Sequence, residues 1–247
     1  MTTVDVVVPV YNEERALPQS IPILRDFLAG PEFPFDWRIV IADNASIDNT
    51  PAVGQDLADA SGGKVEYMRI ERKGRGFALK QTWLASPMDI VSYMDVDLST
   101  GLEALPPLIG AIANDVYDVA VGSRLADASR ITRSLKRRVL TRGYNTLIKA
   151  MFGTRFSDAQ CGFKAVSHEA AQRIVPLIED NNWFFDTELL ILSEKMGYRV
   201  KDVPVKWVED MDTRVKIAAT VTEDLRGLVR LRTGQPWRRA EGKPTDD

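Results

Sequence analysis

Asp89-Ile90-Val91-Ser92-Tyr93-Met94-Asp95-Val96-Asp97, followed by Leu98-Ser99-Thr100-Gly101, is the stretch that decides the fold. Ile90, Val91, Tyr93 and Met94 read as a buried strand, and two carboxylates stand where that strand ends. Side chains alternate along a strand, so Asp95 and Asp97 point the same way, about 6–7 Å apart. Side by side they repel and raise each other's pKa unless a cation lies between them. A hard divalent ion such as Mg²⁺ or Mn²⁺ resolves that repulsion and commonly holds substrate phosphates too. The same residues also suit an Asx turn that closes a strand. The surrounding sequence has to decide.

Upstream, Val4 to Val10 is a β-branched run that reads as a buried parallel strand, followed by Tyr11-Asn12-Glu13-Glu14. A helical pattern then runs through Ile21, Leu24, Phe27 and Leu28 and breaks at Gly30-Pro31 and Pro34. Trp37 to Ala42 is a second strand ending at Asp43-Asn44, and Thr50-Pro51 marks the start of another helix. Gly62-Gly63 closes that helix before a third strand, Val65 to Ile70. After Lys73-Gly74-Arg75-Gly76 come a helix, the Asp89–Met94 strand and a fifth strand over 116–122. This β-then-α alternation predicts a mostly parallel α/β sheet with helices on both faces. Ligands of such sheets bind beyond the carboxyl ends of the strands. The polar clusters at Tyr11 to Glu13, Asp43-Asn44, Arg72 to Gly76 and Asp95/Asp97 are therefore expected in one crevice.

The second half is less regular. Between Arg124 and Arg155 nine basic residues face one acidic residue, Asp127. Leu140, Tyr144, Leu147, Met151 and Phe152 give that segment an apolar stripe at helical spacing. Asp158 to Lys164, a helix to about 178, a helix opened by Trp183 to Glu188 and a strand over 198–207 follow. With no repeats and no clear linker, one domain is expected over 1–235, with halves 1–123 and 124–235. A polar, disordered tail is expected over 236–247.

Composition narrows the chemistry. The 247 residues are 45% hydrophobic and 27% charged, as in soluble globular proteins, and carry a formal charge of -3. That balance argues against a general nucleic-acid binder. Cys161 is the only cysteine and His168 the only histidine. A disulfide, a cysteine zinc site and most histidine metal sites are thereby excluded. No leader pattern is present, and no apolar run approaches the roughly 18 residues of a membrane span. A cytoplasmic chain with peripheral membrane contact is expected.

Several residues carry two readings each. Lys73-Gly74-Arg75-Gly76 resembles a phosphate-cradling loop, but Leu79 breaks G-x-G-x-x-G and the loop follows the third strand, which argues against a dehydrogenase. The alternative is a turn and helix start. Asp43 is either a strand terminator or an acceptor for a base or ribose. Glu13 is either a first-turn acid or a ligand contact. The basic run around 133–142 is a solvated face or an anion grip. Asp158 caps a turn or acts as general base. Asp186 and Glu188 divide between capping and catalysis, and Cys161 reads as a packed residue.

The order of these stretches resembles a family 2 glycosyltransferase with the GT-A fold. The resemblance rests on Val7-Val8-Pro9-Val10-Tyr11-Asn12-Glu13-Glu14, Ala42-Asp43-Asn44-Ala45-Ser46 and Asp95-Val96-Asp97. Gly122-Ser123-Arg124, Asp158-Ala159-Gln160-Cys161-Gly162-Phe163-Lys164, Trp183-Phe184-Phe185-Asp186-Thr187-Glu188 and Val203-Pro204-Val205-Lys206-Trp207 are similar to the branch of dolichyl-phosphate glucosyltransferases and mannose synthases. It implies that Pro9, Tyr11, Glu13 and Asp43 hold a nucleoside, joined by Lys73 and Gly74 among the donor-binding candidates. Asp95 and Asp97 would bind Mg²⁺ or Mn²⁺ bridging the diphosphate of a UDP- or GDP-sugar. Arg124 and Arg137, with Thr141, would hold a polyprenyl-phosphate acceptor, and Arg214 and Lys216 would close over the diphosphate. Ser99 stands where mannose-synthase relatives often have glutamine. A lipid phosphate attacks as an anion and needs no base, whereas a hydroxyl acceptor would need Asp158. Attack opposite the leaving group inverts the anomeric centre. The expectation is a metal-dependent inverting hexosyltransferase acting on a lipid phosphate. The alternatives are a soluble enzyme with a small hydroxylated acceptor and a silent nucleotide-sugar-binding scaffold.

Overall fold

The structure is a computed structural model, and it describes residues 1–126, 130–132, 135–208 and 217–240. Its first half alternates strand and helix: β1 (Thr3–Val10), α1 (Leu17–Leu28), β2 (Asp36–Asn44), α2 (Thr50–Asp59), β3 (Val65–Ile70), α3 (Arg75–Ala85) and β4 (Ile90–Met94). α4 (Leu105–Ala113), β5 (Val119–Ser123), β6 (Arg130–Thr132) and α5 (Leu135–Phe152) follow. The chain continues through β7 (Phe163–Ser167), α6 (His168–Ile174), α7 (Phe185–Lys195), β8 (Val200–Pro204), β9 (Lys206–Val208), α8 (Ile217–Gly234) and α9 (Trp237–Ala240).

Seven strands form one sheet in the order β3-β2-β1-β4-β7-β5-β8, and β6 pairs with β9 beside it. β7 alone runs antiparallel to its neighbours in the large sheet, so the expected mostly parallel α/β sheet is present. β1 explains why. Val4, Val6, Val7, Val8 and Val10 are all buried, as both faces of a central parallel strand must be. α1 covers one face with Leu17, Ile21, Leu24 and Leu28, while Phe27 packs only partly against the core.

The structure departs from the sequence reading in four places. β7 spans the end of the Asp158–Lys164 motif and the first residues of the helix expected to about 178; its short apolar pattern is interrupted by Lys164, and the helix begins only at His168. The single strand expected over 198–207 is two, divided at buried Val205: β8 extends the large sheet and β9 pairs with β6. β7 also comes from the second half of the chain yet sits between β4 and β5, so the two expected halves share one sheet. Nor is the chain past 236 simply a polar tail. Trp237 is buried, its ring 6.3 Å from that of Phe152, within α9, while 241–247 lie outside the described residues.

One charge is built into the core. Asp5, buried in β1, accepts from Arg38 Nε at 2.9 Å, Arg38 Nη2 at 2.8 Å and Ser86 Oγ at 2.6 Å. A buried carboxylate survives only when paired in this way. Arg38→Ala is expected to destabilise the fold by roughly 2–4 kcal/mol, because Asp5 keeps its burial and loses its counter-ion. The shift of the urea unfolding midpoint measures it.

Candidate active site

The clusters at the carboxyl ends of the parallel strands do meet. Lys73 Nζ lies 3.6 Å from the centroid of the Tyr11 ring, which joins the loops after β1 and β3. Gly74 N donates to Asn44 Oδ1 at 2.6 Å, tying the same loop to the end of β2. Arg75 Nη2 donates to Asp95 Oδ1 at 2.9 Å, tying it to the residue after β4. The loops after β1 and β2 are laced directly to each other. Asn12 N donates to Ser46 Oγ at 2.9 Å, Ile47 N to Asn12 Oδ1 at 2.9 Å and Glu13 N to Thr50 Oγ1 at 2.8 Å.

Gly74 and Gly76 serve packing. A Cβ at Gly74 would lie 2.6 Å from Asn181 O, and one at Gly76 would lie 2.7 Å from Phe185 Cβ. The glycines let the start of α3 approach the turn before α7, and the Gly74 amide is occupied by Asn44. The turn-and-helix-start reading therefore describes this loop better than a phosphate cradle.

Asp43 is likewise occupied within the protein. Fully buried, it accepts from Tyr67 Oη at 2.6 Å, Arg69 Nη1 at 2.8 Å and Ser46 N at 2.9 Å. Burial alone would push its carboxyl up, but Ser46, Tyr67 and Arg69 hold it below the usual carboxylate range. It organises the end of β2 and has no exposed surface with which to meet a base or ribose. Pro9 lies within β1, in register with Ala42.

Asp95 and Asp97 occupy the expected place at the end of β4. Asp97 is exposed, and its Oδ1 accepts from Ser99 N at 2.9 Å, so the Asx-turn reading is also realised. Asp95 keeps 42% of its side chain exposed. Loss of surrounding water nonetheless raises its carboxyl; Arg75 opposes the shift, and Asp97 and Asp186 add to it. Gly162 makes room for this side chain, since a Cβ there would lie 2.1 Å from Asp95 Oδ2. That contact explains one glycine of the Asp158–Lys164 motif.

Beneath Asp95 lies a buried ionic cluster that sequence reasoning did not find. Arg75 Nη1 donates to Asp186 Oδ2 at 2.9 Å, and its guanidinium lies over the Tyr93 and Trp183 rings. Asp186 Oδ1 also accepts from Lys164 Nζ at 2.8 Å and from the Tyr93 hydroxyl. Lys164 is fully buried and donates further to Cys161 O at 2.6 Å and Ala159 O at 3.1 Å. Burial would raise the Asp186 carboxyl, but the Lys164 and Arg75 charges hold it low. Glu188, two residues on, receives Glu179 N, Asp180 N and both terminal nitrogens of Arg230. Neither acid acts as a simple helix cap. The signal for Arg75 was its place between two glycines that pack against Asn181 and Phe185.

Asp158 and Arg124, expected in separate roles, are partners. Arg124 Nε and Nη2 donate to Asp158 Oδ2 and Oδ1 at 2.7 and 2.9 Å, and Arg124 N donates at 3.1 Å. Burial pushes the Asp158 carboxyl up, yet Arg124 holds it below the usual range. With no exposed surface and both oxygens engaged, Asp158 is not placed to act as a general base. Arg124 keeps Nη1 beyond that pair and lies 5.6 Å from the Trp207 ring. Thr141 is on the buried face of α5. Arg137 belongs to α5, but its side chain, like Arg214 and Lys216, lies outside the described residues. Cys161 is buried and its thiol is pushed up to about 12 by burial, as a packed residue would be.

The glucosyl-3-phosphoglycerate synthase of Mycobacterium tuberculosis bound to uridine diphosphate superposes with a TM-score of 0.69, at 18% identity, over 94% of this chain and 80% of that one. Its complex with Mn²⁺ and UDP-glucose superposes at 0.67, with 19% identity over 94% and 79%. The fold is thus the GT-A fold of nucleotide-sugar transferases. Residues 5–175 match the glycosyl transferase family 2 pattern, and the chain belongs to that family. The glycosyltransferase AglD of Haloferax volcanii is 34% identical over 88% of this chain, which spans only 35% of that protein's length. The dolichyl-phosphate beta-glucosyltransferase of Saccharomyces cerevisiae is 29% identical over 92% of this chain and 73% of its own.

Asp224 on α8 meets the Asp158–Lys164 loop through Gln160. It is buried, accepts from Gln160 Nε2 at 2.9 Å and is pushed up to about 7, first by burial and then by Asp180, with Tyr144 opposing. Its folded pKa exceeds its unfolded one, so its contribution is complete at acid pH and is lost as pH rises toward about 7. Asp224→Asn is expected to flatten the fall in stability between about pH 4 and pH 7, as read from unfolding midpoints across that range.

Proposed function

We propose that this chain is a metal-dependent, inverting hexosyltransferase that moves a sugar from a UDP- or GDP-sugar to a polyprenyl phosphate. The observation that carries the acceptor half is the Arg124–Asp158 pair. The carboxylate available as a base for a hydroxyl acceptor is buried and ion-paired, which favours an acceptor that is already an anion. Arg124, fixed by Asp158 through two of its nitrogens, is the described residue best suited to receive the acceptor phosphate through Nη1. Arg137 is the further candidate. The names of the yeast and Dictyostelium discoideum relatives, both dolichyl-phosphate beta-glucosyltransferases, support the same acceptor class.

The donor half rests on Asp95 and Asp97. Their donor set is carboxylate oxygen, which suits Mg²⁺ or Mn²⁺. Burial raises the Asp95 carboxyl, Arg75 opposes that shift, and the carboxylates of Asp97 and Asp186 add to it. Among the described residues no group of three or more His, Cys, Asp or Glu could hold a metal by itself. That fits an ion held by one or two carboxylates and completed by substrate phosphates. When bound, the ion would stabilise charge growing on the departing nucleoside diphosphate. Tyr11 and Lys73 line the crevice where the nucleoside and diphosphate would lie, with Pro9, Glu13, Arg214 and Lys216 as further candidates. Arg124 would orient the acceptor oxygen for attack from the side opposite the leaving group.

A lipid acceptor requires access to a membrane surface. Among the described residues no helix is long and apolar enough to cross one. Leu140 and Leu147 on α5 and Val221, Leu225 and Val229 on α8 are 38 to 58% exposed, and the two helices pack together. Exposed Arg142, Lys149, Arg226 and Arg232 lie on the same helices, a combination suited to an anionic bilayer. Leu225→Glu with Val229→Glu is expected to reduce co-sedimentation with anionic vesicles several-fold while leaving binding of UDP or GDP unchanged.

The decisive assay incubates the chain with labelled UDP-glucose or GDP-mannose, Mn²⁺ and polyprenyl phosphate. Label should enter the organic phase, and EDTA should prevent it. Label that remains wholly water-soluble would overturn the lipid reading. Asp97→Asn should lower turnover on the order of 10²–10³-fold with an unchanged melting temperature.

A further inference from the structure

We infer that Arg75 is a positioning residue for the metal site, holding the Asp95 carboxylate in the orientation that receives a divalent cation. This rests on the proposed role of Asp95 and Asp97 as cation ligands. Arg75 bridges two carboxylates, with Nη2 to Asp95 Oδ1 and Nη1 to Asp186 Oδ2, each at 2.9 Å. Its guanidinium is fixed by aromatic neighbours, with Cζ 4.8 Å from the Tyr93 ring and 4.9 Å from the Trp183 ring. The anchoring carboxylate is itself immobilised, since Asp186 Oδ1 accepts from Lys164 at 2.8 Å and from Tyr93. Asp95 is thereby connected to the buried core through one planar group. Its other oxygen faces Gly162, where no side chain heavier than hydrogen fits. Arg75 holds one oxygen, and Gly162 leaves the space that the other occupies.

Charge alone would give Arg75 the opposite effect. A cation beside Asp95 repels Mn²⁺, so removing it would tighten metal binding if electrostatic competition were its whole role. An orienting partner acts the other way, because a ligand free to rotate must be ordered by the metal itself. Groups that orient metal ligands typically contribute 10–100-fold in metal affinity. Lysine separates the two effects. It keeps the positive charge but is a point donor without the planar fork that spans two carboxylates.

The test is calorimetric titration of Mn²⁺ into the full chain, alone and with whichever of UDP or GDP the wild type binds. Arg75→Lys should weaken Mn²⁺ binding by about tenfold or more, while nucleotide binding in EDTA stays at the wild-type value. A folded Arg75→Lys chain with wild-type Mn²⁺ affinity would overturn the inference, even if its melting temperature fell. So would tighter Mn²⁺ binding by Arg75→Met. Trp183→Ala, which removes one wall from the guanidinium at a half-exposed position, should weaken Mn²⁺ in the same direction by two- to threefold. It serves if Arg75→Lys does not fold, and an unchanged affinity there would count against Arg75 equally. A wild-type chain that binds no Mn²⁺ under any of these conditions overturns the metal reading and this inference together. Loss confined to the variants supports both.

Discussion

The buried carboxylate of Asp186 is the point on which the candidate site turns. It accepts from Tyr93 on β4, Lys164 on β7 and Arg75 at the start of α3, so three elements distant in sequence meet at two oxygen atoms. Burying so many charges costs solvation, and the cost is offset only because every partner is hydrogen-bonded. One branch of the cluster runs through Arg75 to Asp95. The other runs through Lys164 to the carbonyls of Ala159 and Cys161, in the loop that begins at Asp158. Asp95 and the Arg124–Asp158 pair are thus set relative to each other by one ionic assembly.

The antiparallel strand β7 makes this arrangement possible. It pairs Tyr93 with Lys164 and Met94 with Phe163, which carries Gly162 against Asp95 at the end of β4. Because β7 is inserted between two otherwise parallel neighbours, its preceding loop arrives at the carboxyl ends of the other strands. A parallel strand at that place would deliver its following loop there instead. The reversal brings the Asp158–Gly162 segment into the crevice.

Much of the outline was legible in sequence because it depends on periodicity and on strand ends. Valines at both faces of β1, the Gly62-Gly63 stop and Thr50-Pro51 each reflect local backbone or burial preferences. The position of Asp95 and Asp97 follows from where the apolar run ends. Roles were harder to read. Asp43 and Asp158 have the residue type and setting of ligand-binding acids, yet Tyr67, Arg69 and Ser46 take the first and Arg124 takes the second. Whether an acid is spent internally depends on partners 3 to 34 positions away.

The sequence by itself determined the alternation of strands and helices, the placement of polar residues at strand ends and the family to which those motifs point, since all three are carried by local order along the chain. Tertiary structure alone decided which charges pair. Arg75 meets Asp186 across 111 residues, and nothing near either one distinguishes that partner from any other acid. Ion pairing selects by distance in space, and only the assembled sheet brings those groups within reach.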